Sequence, residues 1–351
     1  MLLAASTGWV FDNGNHLFWT EDNGGHWKDI SPDPAVQPVD VFFLDTLHGW
    51  VLLTTADEEK SLVYFQIAAT SDAGQTWSKS VINVPSQKPD ELDGTAWLDF
   101  VDPAHGWVLL HVRSNSAFSW GLLLTTDDGG KNWRELPGGA PIADVPVFVT
   151  PKDGWLSGIG GGGGTFRTRD GGRTWEGAGP ADPVMGSSVD GKLHFVDPKH
   201  GFISETFDRK TGTELVLYAT EDGGDTWKLD RSITDQATDP ETGTHPYRFG
   251  PTCLVPASGG GTLLLTTLDE GHGTLSLETV NHGGEVSVST SKGLLEEHEW
   301  AVGLSFSSST HGWLRTSSGR TFTTDNGGAS WRDISPIKRS FKPPSIPAEP
   351  S

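Results

Sequence analysis

Short apolar runs separated by polar turns recur along the whole chain. Aromatic or aliphatic residues, a polar turn, then Gly-Trp and a second apolar run appear as VFFLDTLHGWVLL (41–53) and LDFVDPAHGWVLL (98–110). The same order returns as VFVTPKDGWLSG (147–158), LHFVDPKHGFIS (193–204) and LSFSSSTHGWLRT (304–316). Two β-type runs joined by a polar turn ending in Gly predict a hairpin. A third apolar run follows, as in Leu215 to Thr220, and a fourth follows a Trp, as in Trp77 to Ile82. Each repeat therefore predicts one four-stranded antiparallel sheet, and the units start roughly every 50 residues, the signature of an array.

Between the third and fourth runs lies an octapeptide of the form Ser/Thr-x-Asp-x-Gly-x-(Thr)-Trp. It reads TEDNGGHW (20–27), TSDAGQTW (70–77), TDDGGKNW (126–133), TRDGGRTW (168–175) and TEDGGDTW (220–227). A degenerate copy begins at Thr279, with Asn281 and Val286 where Asp and Trp belong, and a seventh ends at Trp331. A carboxylate there can accept the N–H groups of the turn that follows. The Gly pair supplies positive φ, the leading Thr hydroxyl bonds locally, and the Trp buries a large flat ring against the next sheet. These roles assign Asp22, Asp72, Asp128, Asp170 and Asp222, with Trp27, Trp77, Trp133, Trp175, Trp227 and Trp331, to structure.

The octapeptide resembles the Asp-box, or bacterial neuraminidase repeat, of sialidases, sortilin ectodomains, xyloglucanases and photosystem II assembly factors. The resemblance implies an all-β, seven-bladed propeller with the box on the turn between the third and fourth strands of each blade. In spacing and in the Gly-Trp motif the chain is similar to photosystem II assembly and stability factor-like propellers. The expected blades are 1–38, 39–88, 89–140, 141–182, 183–236, 237–292 and 293–336 in one domain, with a Pro-rich polar tail at 337–351. Blade one starts abruptly at Leu2 to Ser6, and blade six is expected to be the least regular.

The chain has 351 residues, with Gly 45 and Trp 15 against Tyr 3 and Met 2, which suits a hairpin-rich protein with a repeated aromatic plug. Its net charge of −21 disfavours nucleic acid or an anionic membrane surface as partner and suits a soluble monomer. No run of 18 apolar residues predicts a spanning helix, and Met1 to Ser6 reads as a strand stump, without a visible signal peptide. The resemblance implies an exported or periplasmic location. The lone Cys253 excludes an intramolecular disulfide and fits either redox compartment.

Candidate chemistry is sparse. One carboxylate per turn is too few for calcium. His48, His105, His200 and His311 recur on separate blades and cannot converge on one metal, so they are assigned to turns. Gly160 to Gly164 lacks the ending of a phosphate loop. Tyr64 and Tyr218 lie in third-strand patterns, which leaves Tyr247 as the loop tyrosine, and Tyr247-Arg248-Phe249-Gly250 does not match the sialidase arginine signature. A glycosidase needs two carboxylates across a cleft; nothing pairs the loop acids Asp57, Glu58, Glu59, Asp90, Glu91, Asp93, Asp269 and Glu270. No catalytic residue, cofactor or metal is assigned.

Octapeptides and Gly-Trp turns share one end of the blades. The opposite end carries the connections between strands two and three, expected as loops at 54–62, 111–121, 158–165 and 204–214, with a long link at 230–249. Variable connections on a rigid scaffold are where binding concentrates. Phe118 and Trp120, with Arg113 at the base of their loop, are the first candidates for contact, and Tyr247 and Arg248 the second. The functional expectation is a non-enzymatic scaffold that binds a protein partner through this face. The alternative is a carbohydrate-active propeller, either a glycoside hydrolase of sialidase or other type, or a lectin.

Overall fold

Each of the seven sheets is assembled from strands consecutive in sequence, and among the described residues none borrows a strand from the other end of the chain. The computed structural model describes residues 1–12, 15–57, 62–84, 91–113, 120–158, 164–180, 188–209, 212–235, 247–255, 262–269, 274–281, 286–296 and 299–337. Among these there is no α-helix. The chain is an all-β, seven-bladed propeller. Blade two shows the unit: Pro38–Phe43 lines the centre, followed outward by Gly49–Asp57, Leu62–Thr70 and Ser78–Ile82, each antiparallel to the last. Blades three to seven repeat this order with four strands each, whereas blade one has three, with a single bridge from Leu2 to Gly8.

The octapeptide turns close as their chemistry dictates. In blade five Thr220 Oγ1 donates to Asp222 Oδ1 at 2.9 Å and accepts the Gly224 N–H at 2.9 Å. Asp222 also accepts the Thr226 N–H at 2.8 Å and the Thr226 hydroxyl at 2.6 Å. Blade seven makes the same frame with an amide, Asn326 Oδ1 taking the Thr324 hydroxyl and the Ser330 N–H at 2.9 Å each. Positive φ is required at both turn positions, for example 74° at Gly223 and 90° at Gly224.

Asp222→Ala should therefore cost about 1.5–3 kcal/mol, nearer the lower figure because the carboxylate is partly open to water. Asp222→Asn should cost less than about 1 kcal/mol, since Asn326 already performs the role. Thermal melts of both variants test the ordering; equal losses would show that charge, not the acceptor geometry, closes the turn.

Blades lock to one another through two repeated aromatic positions. The Gly-Trp indole stacks on the last Phe of the next blade's inner strand: Trp50 on Phe100, Trp107 on Phe148 and Trp155 on Phe195, with ring centroids 3.6–3.7 Å apart. Its N–H then reaches the next blade's octapeptide, Trp50 to Gly129 O, Trp107 to Gly171 O and Trp155 to Gly223 O, at 2.9–3.0 Å. The ring closes the same way, Trp313 Nε1 donating to Asn23 Oδ1 at 2.8 Å and Trp27 Nε1 to Ile334 O at 2.8 Å. Among the described residues, side chains and not a shared strand hold the seam between blades seven and one.

The Gly of Gly-Trp, expected to end a hairpin turn, has a different cause. At Gly49, Gly106, Gly154 and Gly312 a Cβ would stand 2.3–2.4 Å from the Phe ring of the same blade. The aromatic stack needs the space. Four His-Gly positions do serve the turn: His48, His105 and His200 place Nδ1 at 2.8–2.9 Å from Asp45, Asp102 and Asp197, and His311 Nδ1 lies 2.9 Å from Thr310 Oγ1.

Blade six is more regular than expected. Tyr247–Val255, Thr262–Asp269, Thr274–Asn281 and Val286–Ser291 form a complete sheet. Its third-strand Thr279 pairs with Leu264, and pairing runs on to Asn281 opposite Thr262, so the hairpin continues where the other blades turn. The three-stranded blade one departs most. Tail residues 338–351 lie outside the described residues.

Candidate functional site

The inner strands surround a central cavity of about 610 Å³. Its wall is mostly apolar, with Phe42, Leu193, Leu254 and Leu304 among the lining residues and polar groups at His194, Thr252, Cys253, Ser305, Arg315 and Thr321. His194 Nε2 lies 2.8 Å from Thr252 Oγ1 of the next blade. Burial among the strands, helped by the charge of Lys192, pushes the His194 pKa down to about 4. Burial likewise raises the Cys253 thiol to about 11, against a backbone hydrogen bond from Phe306. A thiol kept protonated is not a nucleophile. Burial lowers the Arg315 pKa while the charge of Asp12 opposes the shift.

Between blades, buried carboxyls tie inner strand to inner strand. Asp40 Oδ2 accepts the Leu98 N–H at 2.8 Å, and Asp99 Oδ2 accepts the Phe148 N–H at 2.5 Å. Burial pushes Asp99 up to about 7, against its backbone donors Phe148 and Phe100, and the nearby Asp40 adds to the rise. A perturbed carboxyl can mark a catalytic group, but Asp99 is bonded across a blade interface and serves the ring. A second cavity of about 540 Å³ lies beside the turns of blades one and two. Three of its polar residues, Thr20, Asp22 and His26, take part in turn closure, Asp22 Oδ2 standing 2.5 Å from His26 Nδ1.

The face opposite the octapeptides differs from expectation in kind. Its variation comes largely from strand length. The expected loop 204–214 is mostly strand, with Gly201–Arg209 returning as Gly212–Thr220. The expected loop 54–62 begins as strand to Asp57 and ends in strand at Leu62. The link at 230–249 starts within Lys228–Asp235 and ends within Tyr247–Val255. Tyr247 and Arg248 thus open the inner strand of blade six, opposite Asp269 and Leu268. Trp120 opens a strand opposite Val112; the side chains of all three lie outside the described residues, as does Phe118 entirely. Arg113 is exposed, its N–H bonded to Glu91 O at 2.8 Å. The structure does not bring the two expected groups together: Arg113 and Trp120 sit on blade three and Tyr247 and Arg248 on blade six.

Of the loop acids, Asp93 is held by His111 at 2.5 Å, and Asp57 and Asp269 end the hairpins of blades two and six. No metal-binding cluster occurs among the described residues. The described residues contain no helix long and apolar enough to cross a membrane.

Sequence reasoning missed Trp300. It stands at the start of blade seven's inner strand, on the face opposite the octapeptides, and is 47 % exposed. Its N–H and C=O bond to Ser317 Oγ and Ser317 N at 3.2 and 2.9 Å. Below it, Arg320 pairs with the buried Glu299 through both guanidinium Nε and Nη2, and Ser318 Oγ donates to the same carboxylate. Trp300 is one of the few Trp residues outside the Gly-Trp and octapeptide positions, the one signal that could have found it.

No protein-family model matches the chain. A stretch of 151 residues is 26 % identical to photosystem II assembly lipoprotein Ycf48 of Synechococcus sp. (strain CC9902), covering 43 % of this chain and 39 % of that protein. The chain thus matches well under half of that relative's length. YCF48 from Cyanidioschyzon merolae superposes with a TM-score of 0.54 at 16 % identity, over 94 % of this chain and 88 % of that one. A YCF48 structure bound to a D1 peptide gives 0.53 at 16 %, over 85 % and 82 %. The GH74 enzyme of Niastella koreensis gives 0.57 at 14 %, over 94 % of this chain but 53 % of that one. By its propeller fold and by the similarity of its sequence, the chain resembles the photosystem II assembly factors of the Ycf48 type.

Proposed function

We propose that the chain is a non-enzymatic assembly scaffold that binds a protein partner through the face opposite the octapeptides. The observation that carries this reading is the 26 % identity to an assembly factor over 151 residues. A fold of the same kind holds a D1 peptide in one solved structure. The likeness to a GH74 enzyme does not transfer an activity, because one propeller scaffold hosts unrelated chemistries. The carboxyls with raised pKa whose bonds are described, Asp40 and Asp99, accept inter-strand N–H groups instead of facing each other across a cleft. Arg113, Phe118, Trp120, Tyr247 and Arg248 are proposed contacts, since aromatic and Arg side chains dominate binding hot spots. An exported location follows the lipoprotein relative.

The test is cross-linking and affinity capture from the source cells, with wild-type chain, Arg113→Glu and an outer-edge control, Val81→Glu. Capture of a defined protein by wild type and control, and its loss with Arg113→Glu, is the expected result. Hydrolysis of xyloglucan or sialosides by the pure chain, or capture indifferent to Arg113, would remove this reading.

A further inference from the structure

The outer strand of each blade is an open sheet edge, and an edge offers its backbone N–H and C=O groups to any other strand. Short length, charged side chains and bulges are the usual protections. Among the described residues, six of the seven outer strands carry them. Lys28–Asp29, Arg134–Glu135, Glu176–Gly177 and Arg332–Asp333 are two residues long, and each is charged. Ser78–Ile82 carries Lys79, which pairs with Asp33 at 2.9 Å. Lys228–Asp235 holds two basic and two acidic residues and is broken by a register shift opposite Leu217 and Tyr218.

Val286–Ser291 of blade six has none of these protections. It reads Val-Ser-Val-Ser-Thr-Ser over six residues and pairs without a shift, from Leu275 opposite Ser291 to Val280 opposite Val286. Val288 on it is 57 % exposed. The departure goes with the altered octapeptide. In blades one, two and five the octapeptide Trp donates to the residue that follows the preceding blade's outer strand. Trp27 reaches Ile334 O, Trp77 reaches Ile30 O and Trp227 reaches Ala178 O, at 2.6–2.8 Å. Val286 stands at that position in blade six, and its side chain has no N–H to donate.

We propose that this edge pairs with the same edge of a second copy of the chain, antiparallel, about a two-fold axis that sets Val288 opposite its counterpart. In that register Val286 opposes Thr290 and Ser287 opposes Ser289. The choice of occupant follows from charge. A chain of net charge −21 repels its own copy over most of its surface. An outer strand without a charged residue is where two copies approach most easily, because a self-paired edge then sets no like charges opposite each other. A basic partner, by contrast, gains nothing from an uncharged edge. Backbone hydrogen bonds and the β-branched Val288 and Thr290 supply the contact. Six residues span about 20 Å. Such an edge lies below the ~1,200 Å² of standard interfaces, so the dimer is weak. Its dissociation constant is expected at about 10–100 µM. The pairing uses the rim, not the face that carries Arg113, and does not depend on the scaffold reading.

Sedimentation equilibrium of the full chain from about 5 to about 500 µM should show the average mass rising from one chain toward two. Val288→Lys should hold it at one chain over the whole range, although the change lowers the net negative charge. Val81→Lys, which alters the charge equally on the outer strand of blade two, should leave the rise unchanged. Val288→Cys reads the register directly. Under oxidised glutathione it should form disulfide-linked dimers at least about tenfold faster than Val81→Cys. A single-chain mass throughout overturns the proposal, as does a rise that survives Val288→Lys or continues past two chains. Equal cross-linking of Val288→Cys and Val81→Cys also overturns it. If the thermal melt shows Val288→Lys to be unfolded, the two Cys variants decide alone.

Discussion

Trp155→Ala should destabilise the ring by about 3–5 kcal/mol, the cost of removing a buried Trp from a packed interface. Trp155 is 1 % exposed, stacks on Phe195 of the next blade at 3.6 Å, and donates to Gly223 O at 3.0 Å. Truncation would uncover both blades four and five at once. Trp155→Phe should cost about 1–2 kcal/mol, because a ring remains to stack and Gly223 O still accepts Arg167 Nη1 at 2.8 Å. Blade five already carries Phe202 at this position, where the following blade departs from the octapeptide at Asn281 and Val286. Urea unfolding followed by circular dichroism measures the losses, with Trp300→Ala as an exposed control expected to lose less than about 0.5 kcal/mol. Similar midpoints for Trp155→Ala and Trp300→Ala would mean that the aromatic lock does not hold the blades.

The blades were legible because the octapeptide performs local chemistry. Thr, Asp, two residues of positive φ and Trp close a turn within eight positions, so the pattern survives in sequence wherever the turn survives. The lock between blades was only half legible. Gly49 or Gly106 looks like a turn residue until the ring of Phe43 or Phe100 is seen where its side chain would be. Such a contact joins residues six apart with a third on another blade, and no local rule contains it.

The tall hairpins were not legible at all. In these extensions the residues turn polar and the apolar alternation fades. Ser204-Glu205-Thr206 and Gly212-Thr213-Glu214 read as loop for that reason, although they pair residue by residue. The same effect placed Tyr247 and Arg248 in a link instead of at the start of a strand. Strand height is set by pairing, which leaves little compositional trace.

Arg320→Ala should cost about 3–5 kcal/mol, because it strands a buried carboxylate without its partner. Only 1 % of the Glu299 side chain is exposed, and Arg320 also covers the Phe322 ring at 4.9 Å. Burial opposes the charge on Glu299, yet the Arg320 guanidinium, the Glu296 backbone and the Ser318 hydroxyl together hold its pKa at about 2. The folded value lies below the usual Glu range of about 4.3. This contribution is therefore complete above pH ~4.3 and is lost as pH falls toward 2. The gap in stability between wild type and Arg320→Ala should narrow across that window, since acid neutralises the stranded carboxylate in the variant first. Arg320→Lys, a charge without the two-pronged fork, should fall between the two. Denaturation midpoints measured from pH 7 down to pH 2 check this. A stability gap that stays constant with pH would place the effect of Arg320 in its packing on Phe322 instead of in the ion pair.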